Sequence, residues 1–307
     1  MRKQYPTPMR WRGFLLCALL TAGCTRSCCR EREGAAPIHG PFPRYTLANT
    51  EVRPLARSAN GRSYQLQIAL PDSYDEDPMR RYPVVYLCDG YWDFPLVKSI
   101  AGNLFIDRAI PEIIIVGLGY AEDDANYGKL RRWDLTPVPA TYPGAPMDGP
   151  SGHAKEFLAA IENEIIPLVE REYRGEPSYR VLMGSSLGGL FTLYAMLARP
   201  GLFSAYIAAS PAAQWADDWL LSFEEEFHKS GQPLRTRLFI TAADDEIPII
   251  LEGAKRFHER IRQRARPELR YEFRLIEEER HSGTKPESYN RGLRFALAPR
   301  ASEPSYP

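Results

Sequence analysis

Histidine and cysteine are scarce, five of each in 307 residues, and their placement excludes much of the chemistry they usually carry. His39, His153, His228, His258 and His281 show none of the close His/Cys spacings of a zinc site, so no metal is expected. Cys17 and Cys24 belong to the N-terminal stretch, Cys28 and Cys29 are adjacent in a polar segment, and Cys88 sits in an apolar run. That pattern makes no disulfide framework, and Cys88 reads as a small core residue. An excess of either charge is also lacking: Lys+Arg and Asp+Glu number 39 each. No overall field therefore recruits nucleic acid or an anionic membrane face. No apolar run reaches the roughly 18 residues of a spanning helix. What remains, 44% hydrophobic and 25% charged, suits one large globular domain.

At the N-terminus, Arg2, Lys3, Arg10 and Arg12 precede an apolar run from Phe14 to Leu20, followed by small residues. This is the layout of an export signal. Leu20-Thr21-Ala22-Gly23-Cys24 resembles a bacterial lipobox, which implies lipidation of Cys24 after removal of residues 1–23 and leaves 307 − 23 = 284 residues. An exported chain held on a bacterial membrane by that lipid, facing the periplasm or exterior, is the expected location. Residues 24–43 are rich in charge, Gly and Pro and read as a flexible tether. A folded domain is expected over 44–299, with a short tail at 300–307.

Within the domain, strand-like runs fall at 62–70, 83–88, 112–119, 179–183, 203–209, 237–242 and 269–275. Helical patterns lie between them at 152–173, 186–198, 214–228, 248–264 and 286–297. In the first of these, Phe157, Ile161, Ile165 and Val169 repeat every four residues and predict one buried stripe. The alternation predicts an α/β fold with a mostly parallel sheet covered by helices on both faces. Residues 126–152 are punctuated by Pro and Gly and read as a long loop.

Gly184-Ser185-Ser186-Leu187-Gly188 is a GxSxG motif between a strand-like and a helix-forming segment. Glycines two before and two after a serine let the two backbones of a sharp strand-to-helix turn approach, which nominates Ser186 as a nucleophile. Serine needs a base, and His281, in the polar loop after the last strand, is the best placed of the five histidines. The turn after residues 237–242 offers Asp244, Asp245 and Glu246 as the acid, and spacing does not choose among them. Leu187, at a helix N-terminus, and Tyr91, after the 83–88 strand, are the expected backbone donors to an oxyanion. Trp92, with Arg131, Arg132 and Trp133 of the long loop, is expected to form a cationic and aromatic substrate rim, unless Arg132 instead pairs with Asp134 or Asp89 to pin the loop.

Four stretches taken together resemble the esterase D branch of the α/β-hydrolase superfamily, which includes enterochelin, bacillibactin and feruloyl esterases. They are Tyr82 to Gly90, Arg132 to Pro137, Gly184 to Leu190, and His281-Ser282 ahead of Arg291 to Phe295. The resemblance spans about residues 44–297. It implies an α/β-hydrolase fold and a serine esterase, with Ser186 as nucleophile, His281 as base and Tyr91 as a second oxyanion donor, while the residues themselves call for no metal or organic cofactor. The family acid often lies three residues after a Gly; Ala243 stands at that Gly, so the resemblance favours Glu246, then Asp245. It implies a small-molecule ester as partner, a siderophore ester being the most specific substrate and acetyl or feruloyl esters alternatives. Two other readings of the same chain are an acyltransferase using this site and a non-catalytic surface binding module.

Overall fold

The structure, a computed structural model, describes residues 45–121, 126–140 and 150–298. The leader, Cys24, the whole tether and the C-terminal tail lie outside the described residues. The chain divides between Thr46 and Leu47, and the second unit carries the fold.

Among the described residues, eight strands form one sheet: β1 (Thr50–Pro54), β2 (Tyr64–Ala69), β3 (Tyr82–Leu87), β4 (Ile114–Tyr120), β5 (Gly175–Ser185), β6 (Ala205–Ala209), β7 (Arg237–Ala243) and β8 (Arg270–Ile276). Their order is β1-β2-β4-β3-β5-β6-β7-β8, antiparallel from β1 to β4 and parallel beyond. Strands β3 and β6 are apolar throughout because both faces are covered, as in other parallel sheets. Alternation within β3 divides the core. Val84 and Tyr86 join one cluster with Phe157 and Phe191, while Val85 and Leu87 join the other with Val97, Leu104, Tyr289 and Leu293.

Helices α1 (Gly90–Ile106) and α8 (Lys285–Leu297) therefore share one face of the sheet. The opposite face carries α2 (Tyr127–Leu135), α3 (Ala154–Ala160), α4 (Ile166–Glu172), α5 (Leu187–Ala198), α6 (Trp215–Lys229) and α7 (Pro248–Arg264).

A stripe repeating every four residues drifts about 40° per step on a 3.6-residue helix. The turn Ile161–Ile165 between α3 and α4 is a wider π-helical one, which takes up that drift. Phe157, Ile161, Ile165 and Val169 accordingly all stay buried.

The structure adds three elements that sequence patterns do not predict. Strand β1 is largely polar and ends in Pro54, as an edge strand can, because its outer side needs no ladder partner. Helix α1 contains Gly90, Pro95 and Gly102, which mask its pattern; only its inward residues Phe94, Val97, Ala101 and Leu104 betray it. Helix α2 lies within the segment read as a loop, started by the Asn126 side chain accepting from the Lys129 N–H at 3.1 Å.

Candidate active site

Strand β5 ends at Ser185 and α5 begins at Leu187, leaving Ser186 alone in the turn with φ 60° and ψ −116°. Positive φ costs a residue with a Cβ, so the surroundings must hold it there. They do so through backbone bonds: Ser186 N–H donates to Ala209 O (3.0 Å), and Ser186 O accepts from Ala212 and Leu190. A Cβ on Gly184 would lie 2.6 Å from the Gly188 carbonyl carbon, and one on Gly188 would lie 3.0 Å from Cβ of Cys88. The motif glycines are thus fixed by close approach of strand, helix and the end of β3.

The parallel strands all deliver their C-terminal turns to this same edge, and backbone bonds join those turns in series. Cys88 N–H donates to Met183 O, Ser186 to Ala209 O, Ser210 to Thr241 O and Asp244 to Ile276 O, at 2.8 to 3.0 Å. Elements distant in sequence are thereby set against one another by the sheet. Burial pushes the Cys88 thiol pKa well up, which keeps this free cysteine protonated and unreactive.

The three carboxylates after β7 point in three directions. Asp244 accepts the Glu278 and Glu279 N–H groups (3.0 and 3.3 Å), which holds its pKa below the usual carboxylate value and anchors the loop leading to His281. Asp245 pairs at the surface with Arg280 at 2.8 Å. Glu246, with a side chain 0% exposed, places Oε1 2.8 Å from Nδ1 of His281, whose own side chain is 23% exposed. The same Oε1 accepts the Ile247 N–H at 2.8 Å. A carboxylate held this way can fix the imidazole with Nδ1 protonated and leave Nε2 as the basic nitrogen.

Across from this loop, Asp89 follows β3 in the left-handed region (φ 57°), and α1 starts at Gly90. Tyr91 is the second residue of α1 and Leu187 the first of α5, so the backbone N–H groups of both precede the helical ladder. Gly90 packs directly on β4: a Cβ there would come within 2.7 Å of Gly117 backbone. Arg131 grips Asp89 with both ends of its fork, Nε to Oδ1 at 2.7 Å and Nη2 to Oδ2 at 2.8 Å. The tie between α2 and the turn after β3 thus falls on Arg131, one residue before the arginine that the sequence suggests.

Tyr91 and Trp92 are 54% and 48% exposed, and Tyr91 stacks on Tyr127 with centroids 4.0 Å apart. Trp92 sits edge-on to both rings, with the Arg131 guanidinium 5.6 Å from its centroid. An open aromatic patch with a cation beside it therefore borders the turn. Tyr127 is a member that no sequence motif marks.

Arg132 and Trp133 are placed otherwise than a substrate rim in a loop requires. Both are in α2, and Arg132 is 3% exposed, donating to Ala140 O at 2.7 Å with its guanidinium 5.0 Å from the Trp215 ring. Trp133 is stacked on His153 at 3.8 Å and has Arg62 4.7 Å from its centroid, so its ring is already occupied. Helical geometry is the cause: once 127–135 coils, three consecutive residues diverge by about 100° each, and only Arg131 faces Asp89.

A strained serine between strand and helix, and a histidine on a buried acid at the same edge of a mostly parallel sheet, define a serine hydrolase of the α/β-hydrolase superfamily. Residues 58–282 match the family model described as "Putative esterase", and the chain belongs to that esterase family. It is a serine carboxylic ester hydrolase. The chain is 30% identical over 269 residues to the ferri-bacillibactin esterase BesA of Bacillus subtilis, covering 83% of this chain and 92% of that one. The crystal structure of the BES protein from Bacillus cereus matches with a TM-score of 0.73 at 28% identity, over 83% of this chain and 98% of that one. An IroE-like serine hydrolase from Shewanella oneidensis matches with a TM-score of 0.71 at 26% identity, over 80% and 79% of the two chains.

Proposed function

We propose that Ser186, His281 and Glu246 are the catalytic triad of this esterase and that its substrate is a siderophore ester. In the proposed cycle, His281 takes the Ser186 proton as Oγ attacks the ester carbonyl, then gives it to the leaving alcohol. Glu246 stabilises the imidazolium, and the Leu187 and Tyr91 N–H groups receive the oxyanion. Water, activated by the same histidine, releases the acyl-enzyme. The observation that carries this reading is the 2.8 Å contact between Nδ1 of His281 and the fully buried Glu246 carboxylate.

For the substrate, support comes from the relative named as a ferri-bacillibactin esterase and from the aromatic patch beside the oxyanion turn. Planar aryl groups stack on exposed Tyr and Trp rings. We expect kcat/KM for an iron-loaded catecholate trilactone to exceed that for feruloyl and acetyl esters at least about tenfold. Trp92→Ala should lower the siderophore value more than that for p-nitrophenyl butyrate. Equal or faster turnover of feruloyl or acetyl esters would reject the assignment.

The leader composition supports export and lipidation at Cys24, with the esterase held on a bacterial membrane. Cys24→Ser is expected to leave an uncleaved or soluble precursor in cell fractionation. Unchanged membrane attachment of that variant would count against the anchor.

A further inference from the structure

The first turns of α1 and α8 meet at Asp93. This carboxylate is 3% exposed and accepts from two side chains of α8, Lys285 Nζ on Oδ1 at 2.8 Å and Tyr289 hydroxyl on Oδ2 at 2.6 Å. Lys285 and Tyr289 are four residues apart, hence stacked on one face of α8, so together they grip a single group. Desolvation, with the adjacent Asp93 charge, raises the Tyr289 hydroxyl pKa well above its usual value, which keeps it a donor.

The location of this contact sets it apart from other ion pairs of the molecule. Asp93 is two residues beyond Tyr91, and Lys285 is four beyond His281. Asp89, one turn before Asp93, is held from the other side of the sheet by Arg131. The turn carrying Tyr91 is therefore clamped at both of its carboxylates, and one clamp leads straight to the helix that follows the histidine loop. For simple stability an apolar contact would serve as well, because burying a charged pair gains little over well-packed hydrocarbon. A directional contact of two donors on one carboxylate additionally fixes the relative position of two helix starts.

We propose that Asp93, Lys285 and Tyr289 are positioning residues that hold the oxyanion turn in register with His281. The proposal rests on the triad and oxyanion reading above. Displacement of a catalytic group by about 1 Å can cost about a hundredfold in rate. Asp93→Ala is accordingly expected to lower kcat for p-nitrophenyl butyrate about 10- to 100-fold while KM stays within about threefold. Asp93→Asn, which keeps an oxygen acceptor in place, should recover most of that loss.

A short-chain alkyl boronic acid gives the readout that general destabilisation would not move, since its tetrahedral adduct with the serine puts an oxygen between the oxyanion donors. Its inhibition constant should rise in Asp93→Ala by the same factor that kcat falls. Should that variant fail to fold, Tyr289→Phe removes one of the two bonds and should shift kcat and the inhibition constant together by about 3- to 10-fold. A fall in kcat with boronate affinity unchanged in the folded variants, or an Asn variant as impaired as the Ala variant, would overturn the clamp. Boronate affinity that survives Ser186→Ala would instead reject the underlying triad reading, which separates the two failures.

Discussion

Replacement of Ser186 by alanine is expected to lower p-nitrophenyl butyrate hydrolysis by the purified domain, residues 25–307, by about 10³-fold or more, and His281→Ala by a similar factor. Both changes remove part of one proton-transfer unit, so the double variant should be little worse than either single one. Folding should be nearly untouched. Alanine retains the Cβ that the elbow already accommodates at φ 60°, and the backbone bonds of residue 186 to Ala209, Ala212 and Leu190 do not involve its side chain. Labelling by a fluorophosphonate should disappear in Ser186→Ala. Turnover by that variant comparable to the parent would reject the mechanism outright.

Glu246→Gln is expected to cost about 10² or more in kcat, and Asp245→Asn less than about threefold. The amide can present an N–H to Nδ1 of His281 and so favour the tautomer in which Nε2 carries the proton and cannot accept one from serine. Asp245 is 66% exposed and bound to an arginine that is itself 84% exposed, a pairing of small energetic value. Steady-state kinetics with far-UV circular dichroism as a folding control distinguishes the two. A larger loss in Asp245→Asn would transfer the role of the acid to that residue.

Legibility of the site from sequence varied with how local its determinants are. The strand-to-helix turn at Ser186 was readable because its requirements, two glycines at fixed offsets between an apolar strand and a helix, act over a few residues. His281 follows by elimination within the expected strand order, and its contact with Glu246 is what the structure adds. The segment 126–152 misled, because its prolines gather after Leu135 while Asn126 starts a two-turn helix ahead of them. Reading it as loop made Arg132 and Trp133 look available, when coiling turns Arg132 inward and passes the contact with Asp89 to Arg131. Helix α1 was hidden by Gly90, Pro95 and Gly102, and with it the meeting of Asp93 with Lys285 across 192 residues.

Sequence by itself therefore determined the alternation of most strands and helices, the nature of the elbow and the loops that carry His281 and the three carboxylates, since each follows from periodicity and short-range sterics. Tertiary structure alone decided which of three consecutive carboxylates meets the imidazole and which of two consecutive arginines grips the turn after β3. Neighbours in a turn or helix share almost the same position along the chain but point in different directions. Only packing of β7 against β8, and of α2 against the end of β3, selects the direction that faces the site.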